Sequence, residues 1–132
     1  MRRAGGKYER ICIMDNEIKN LLMEIDNINW VQYETAYSET GEKIAGYLKD
    51  LFCGDKSTKM KAIHMLWCSL CHQHAYVSLA ALPSYNFLLY ALLNLDDDFK
   101  VELLDIFTGF AVCTIYQNSK WIYQLRETLK MI

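Results

Sequence analysis

Cys68, Cys71, His72 and His74 bring the chain's most reactive side chains into one short run. Cys68-Ser69-Leu70-Cys71-His72 has the spacing of a c-type haem attachment site, with two thiols three residues apart and a histidine ready to ligate iron. No export signal precedes it, and compartment governs cysteine chemistry. The same four residues offer a zinc ligand set. A structural zinc site draws two ligands from one run and two from a distant one, and here the second pair is missing. A redox CxxC needs a helix N-terminus to lower its thiol pKa, whereas Cys68 and Cys71 fall near the expected end of a helix. Nucleophilic catalysis would take His64, His72 or His74 as base, with Glu34 to orient it. Neither a nucleophile elbow nor a Gly-rich phosphate loop is present. The plainer reading is that the cysteines act as small buried hydrophobes and that His72 and Gln73 satisfy helix-end carbonyls. No catalytic residue, metal or cofactor is expected.

Asp96, Asp97, Asp98, Glu102 and Asp105 form the most lopsided charge feature. Asp98, Glu102 and Asp105 fall at i, i+4 and i+7, on one helix face. The run lacks the spacing and glycine of a calcium loop. It reads either as a solvated face that favours a helix start, or as a docking face for a basic protein partner. Trp30, Tyr33 and Tyr37 are candidate aromatic anchors for such an interface.

These residues need helices to position them. From Ala62 to Leu95 the chain holds no Asp, Glu, Lys or Arg, although 23% of all residues are charged. His64, His72, Gln73, Pro83 and Asn86 interrupt this stretch, so it reads as a buried centre rather than a membrane span. Ile18, Leu21, Leu22 and Ile25 predict a first helix from Asp15, broken at Asp26-Asn27. A short helix is expected to carry Trp30, Tyr33 and Tyr37, followed by a turn at Ser38–Gly41. Ile44, Tyr47, Leu48 and Leu51 predict a helix over 42–52, closed by Gly54 as a left-handed cap. Met60, Ile63, Leu66 or Trp67, and Leu70 mark the next, capped by Asp55 or Ser57. Tyr76 to Leu82 reads as a short helix, and Pro83 opens a central one through Phe87, Leu88, Leu92 and Leu95. The Asp run should cap a helix whose stripe is Val101, Leu104, Phe107, Ala111 and Ile115. After a turn at Gln117-Asn118-Ser119, Ser119 caps a last helix through Trp121, Ile122, Leu125 and Leu129.

With 132 residues, 52% of them hydrophobic, the chain suits one core. One proline and six glycines are few for an all-β protein. A net charge of −2 gives nucleic acid little to bind. Five cysteines fit free thiols in a reducing cytoplasm. Residues 1–14 read as a flexible tail without a signal-peptide core, and 15–132 as a single domain. The expected fold is all-α, with short antiparallel helix pairs stacked as an α-solenoid fragment. Its apolar stripes recur roughly every forty residues.

Trp30, Glu34, Ala36-Tyr37, Glu42-Lys43-Ile44 and Leu48 are followed by Leu66-Trp67, Leu70, His72-Gln73, Tyr76, Pro83 and Phe87-Leu88-Leu89. This order resembles a family of bacterial HEAT-like-repeat proteins, over about half the chain. His74 stands where that family has Gly, and Ser84-Tyr85-Asn86 is inserted between Pro83 and Phe87. Members of the family are similar to immunity proteins that bind and block one cognate toxin. The resemblance implies a cytoplasmic binding module, a monomer when free, that covers a toxin active site. Glu34, Tyr37, His72, Gln73 and Tyr76 would then join the acidic residues in the partner surface. A nuclease toxin would present the basic face that those acids suit. A HEAT-like scaffold for another partner and a Cys/His metal or haem protein remain as alternatives.

Overall fold

The computed structural model describes residues 16–35, 41–71, 77–116 and 120–130, leaving out the side chains at 114–116, 120–122 and 128. The described part is all-α. Six helices follow in order: α1 (Asn16–Asn27), α2 (Glu42–Cys53), α3 (Lys56–Leu70), α4 (Ala81–Asn94), α5 (Lys100–Tyr116) and α6 (Lys120–Leu129). Short 3-10 turns at Trp30–Gln32 and Asp97–Phe99 stand before α2 and α5. The expected tail at 1–14, Asp15, the Ser38–Thr40 part of the first turn and the Gln117–Ser119 turn lie outside the described residues.

The first turns follow from local chemistry. On α1, Ile25 is buried, while Ile18, Leu21 and Leu22 pack half-buried on the core. The helix ends at Asn27, and Trp30 follows in a 3-10 turn of three residues rather than the short α-helix expected there. Trp30 sinks into the core, with its indole N–H donating to the Ile25 carbonyl at 2.7 Å. Its own carbonyl accepts from Gly41 N–H at 3.1 Å. A Cβ on residue 41 would sit 2.8 Å from that oxygen, so only glycine allows the approach.

α2 buries Ile44, Leu48, Leu51 and Phe52, one face at helical spacing. Each such side chain contributes about 1.5–3 kcal/mol by leaving water. A two-residue link joins α2 to α3. Gly54 is extended there, at φ −75° and ψ 169°, so the left-handed cap expected of it is not formed. The glycine is required for a different reason. A Cβ would stand 2.6 Å from Thr58 Cγ2 and 2.7 Å from the Asp50 carbonyl. Asp55 then caps α3, accepting from Thr58 N–H at 2.8 Å, as its type and position predict.

The charge-free stretch does form the centre. Ala62, Ile63, Leu66, Ser69 and Leu70 are buried on α3, and Ala81, Ser84, Tyr85, Phe87, Leu88, Ala91 and Leu92 on α4. No helix is long and apolar enough to cross a membrane among the described residues. The short helix expected over 76–82 is not there. Residues 77–80 are irregular, and α4 starts at Ala81 with Pro83 inside its first turn. α2 packs against α1, α3 and α4, while α5 packs against α3, α4 and α6. Edge-to-face rings tie α2 to α4 (Phe52 and Tyr90, 5.9 Å) and α4 to α5 (Tyr85 and Phe107, 5.5 Å).

α5 corrects the sequence reading most. Its core face is Leu103, Ile106, Phe107, Phe110 and Cys113, running on from Phe99. Of the expected stripe, only Phe107 is buried; Val101 is 72% and Leu104 48% exposed, and Ala111 also faces outward. The side chain of Ile115 lies outside the described residues. Two apolar stripes run along this helix, and periodicity alone does not choose between them.

Candidate functional site

The acidic residues lie where the chain turns from α4 into α5, and all five are exposed. Asp96 stands at the N-terminus of the 3-10 turn and makes no side-chain cap hydrogen bond to it. Two of the five pair with lysines. Asp98 Oδ2 accepts from Lys56 Nζ at 3.0 Å, which fastens the start of α3 to this turn. Asp97 Oδ1 lies 3.1 Å from Lys100 Nζ. Phe99 between them is buried, and Lys59 Nζ sits 5.9 Å from its ring centroid. The turn is therefore anchored by an aromatic plug and ringed by charge pairs.

Beyond the turn, α5 interleaves Val101 and Leu104 with Glu102 and Asp105. These four residues and Thr108 line a shallow concavity of about 290 Å³. Glu102 and Asp105 also edge a second groove of about 290 Å³, whose other walls come from α3: Met60, Ile63, His64 and Trp67. The His64 and Trp67 rings stack there, with 18° between planes and 6.5 Å between centroids. The two carboxylates form a ridge with an apolar hollow on each side.

Glu34 is held elsewhere, its carbonyl accepting from Ala80 N–H at 3.1 Å, with its side chain exposed. Tyr37, His72, Gln73 and Tyr76, with His74, lie outside the described residues. Of the aromatic anchors, Trp30 is buried core and Tyr33 half-buried, edge-to-face with it at 6.4 Å.

The cysteines divide by environment. Cys71 is fully buried, and its Sγ donates to the Trp67 carbonyl at 3.5 Å. Burial, reinforced by Cys113, Asp105 and Cys68, pushes its thiol up to about 12. Such a thiol stays protonated at neutral pH and is a poor metal ligand or nucleophile. Burial raises Cys113 as well. Cys68 lies on the outer side of α3, its Sγ 3.7 Å from His64 Nε2. Among the described residues, no three His, Cys, Asp or Glu side chains gather to hold a metal ion. Ser78, unremarked in the sequence, satisfies the end of α3. Its N–H donates to the Leu70 carbonyl at 2.8 Å and its hydroxyl to the Ser69 carbonyl at 3.1 Å. Nothing local signals this partner, because it stands nine positions beyond Ser69 in the chain.

No known protein family, no curated protein and no solved structure matches this chain.

Proposed function

We propose that this chain is a protein-binding module that works by contact alone. In this reading it is an immunity protein that neutralises a cognate bacterial toxin by covering its active site. The observation that carries the binding reading is the outer face of α5, where Val101 at 72% and Leu104 at 48% exposure stand among exposed Glu102 and Asp105. Apolar side chains left in water beside like charges suit a surface that is covered part of the time. The negative ridge favours a basic partner, speeding encounter and fixing register. A nuclease is such a partner, since it must attract phosphates.

The resemblance to HEAT-like immunity proteins supplies the toxin. The architecture supports that reading through its packing order: α4 lies on α2, and α5 on α3. One helix pair stacked on the preceding pair gives this order. A two-residue link, as between α2 and α3, is of the length that joins antiparallel neighbours in helical folds. The module would act in the cytoplasm, as a monomer when free.

The test is direct. The product of the neighbouring gene is co-expressed with this protein, and its toxicity and the complex are measured. A stable complex and abolished toxicity are expected, and both should be lost in Val101→Asp/Leu104→Asp. A neighbour that is harmless, or that is bound but not inhibited, turns the reading into that of an adaptor for another partner. Full inhibition by the double variant removes α5 from the interface.

A further inference from the structure

The groove between α3 and α5 has a definite chemistry. Ile63 is buried at its base and Met60 stands half-buried in its wall. His64 and Trp67 provide a stacked aromatic wall at i, i+3 on α3. Glu102 and Asp105 provide two carboxylates at i, i+3 on α5. An occupant that used all of these walls would combine an apolar stem, a flat face and a positive charge.

We infer that this groove receives an arginine side chain of the protein partner, its methylenes along Met60 and Ile63 and its guanidinium between Trp67 and the Glu102–Asp105 pair. Arginine fits better than lysine on three counts. Its planar head stacks on an aromatic face. Its fork of donors matches carboxylates, and each such bond is charge-assisted. Its head is more weakly hydrated than an ammonium, so it enters a half-enclosed groove at lower cost. The inference rests on the docking reading of α5 and sharpens it. The ridge carboxylates hold one anchor residue in the groove, while Val101 and Leu104 cover apolar surface on the other side.

The test uses the full-length protein and a probe that needs no partner. Nα-acetyl-arginine amide is titrated into ¹⁵N-labelled protein, and the indole signal of Trp67 is followed, assigned with Trp67→Phe. The neutral isostere Nα-acetyl-citrulline amide is the control. The Trp67 signal should move saturably with the arginine probe and stay in place with citrulline. Glu102→Gln and Asp105→Asn should each weaken the response by about fivefold, the scale of one charge-assisted hydrogen bond lost at a solvent-facing site. Both positions are exposed, so the variants should keep the unfolding midpoint of the parent. Equal shifts with both probes, or a response unchanged in both variants, overturn the inference. If the probe fails while Val101→Asp/Leu104→Asp still abolishes partner binding, only the arginine anchor falls. If that double variant binds normally, the docking face falls with it.

Discussion

Leu103 and Leu104 are neighbours near the start of α5, and their truncation should have very different costs. Leu103 is fully buried, whereas Leu104 is 48% exposed. Each Leu→Ala change removes the same atoms and carries the same small gain in helix propensity, so those terms cancel in the comparison. What remains is burial and the cavity left behind. For Leu103, a fully buried leucine in a packed core costs 2–5 kcal/mol, and about 3 kcal/mol is expected. For Leu104, half of the side chain is already in water and solvent fills the space, so about 0.5 kcal/mol is expected. In a chain of this size the first corresponds to a fall in Tm of roughly 10 °C and the second to one or two degrees. Urea unfolding followed by far-UV circular dichroism measures both, and an unchanged m-value would show that only stability moved. Equal costs, or a larger cost at Leu104, would mean that the Val101–Leu104–Phe107 stripe faces the core. That result would remove the outer apolar face from which the binding reading starts.

Further outcomes follow from other sites. Gly54→Ala should destabilise by about 1–3 kcal/mol by thermal unfolding, because its Cβ would meet Thr58 and the Asp50 carbonyl closer than 3 Å. In iodoacetamide labelling read by mass spectrometry, exposed Cys53 and half-exposed Cys68 should react well before Cys71 and Cys113, which should wait for unfolding. Cys71, with its thiol pushed to about 12 by burial, should also make stability fall as pH rises from 9 toward 12. The unfolded chain ionises there first, and Cys71→Ala should flatten that slope in urea midpoints. Hydrogen bonds from Thr58 hold the Asp55 carboxyl below its ordinary 3.8. Its contribution is therefore present above that value and lost as pH falls through the lowered pKa, and Asp55→Ala should reduce stability at neutral pH and weaken this acid-side dependence. Charge reversal Glu102→Lys should slow partner association in stopped-flow, most at low salt, with little change in Tm.

Several parts of the fold are legible in the sequence because local rules decide them. The face Ile44, Leu48 and Leu51 is read from spacing, and Asp55 from its place before a helical run. The charge-free stretch becomes the centre because water has few partners there. Other features depend on residues distant in the chain. Gly54 marks a turn by its type, but its reason is the approach of Thr58 and Asp50, visible only once α2 and α3 lie together. Lys56 and Asp98 are 42 positions apart, so nothing local shows that the Asp run is partly neutralised. The α5 face is misread for a related cause. Stripes through Leu103–Ile106–Phe110 and through Val101–Leu104 are both apolar, and the choice is made by α3 and α4. Phe99, buried just before α5, lies on the stripe that the rotation of this helix turns inward.

That rotation links the two unusual properties of α5. A helix apolar on nearly every side must give one stripe to the core and leave another outside. An outer stripe of Val101, Leu104 and Val112 without charge would invite self-association. Glu102 and Asp105 break it up, and exposed Asp97 and Asp98 extend the negative charge past its start, although each shares a lysine. Like charges on the same face of a second copy repel, so the face disfavours pairing with itself. A basic surface with apolar patches meets no such penalty. The carboxylates that keep the stripe from pairing with itself are thus the groups that would select its partner. Neutralising them should therefore produce two effects together, a weaker hold on the basic partner and a greater tendency of the free protein to self-associate.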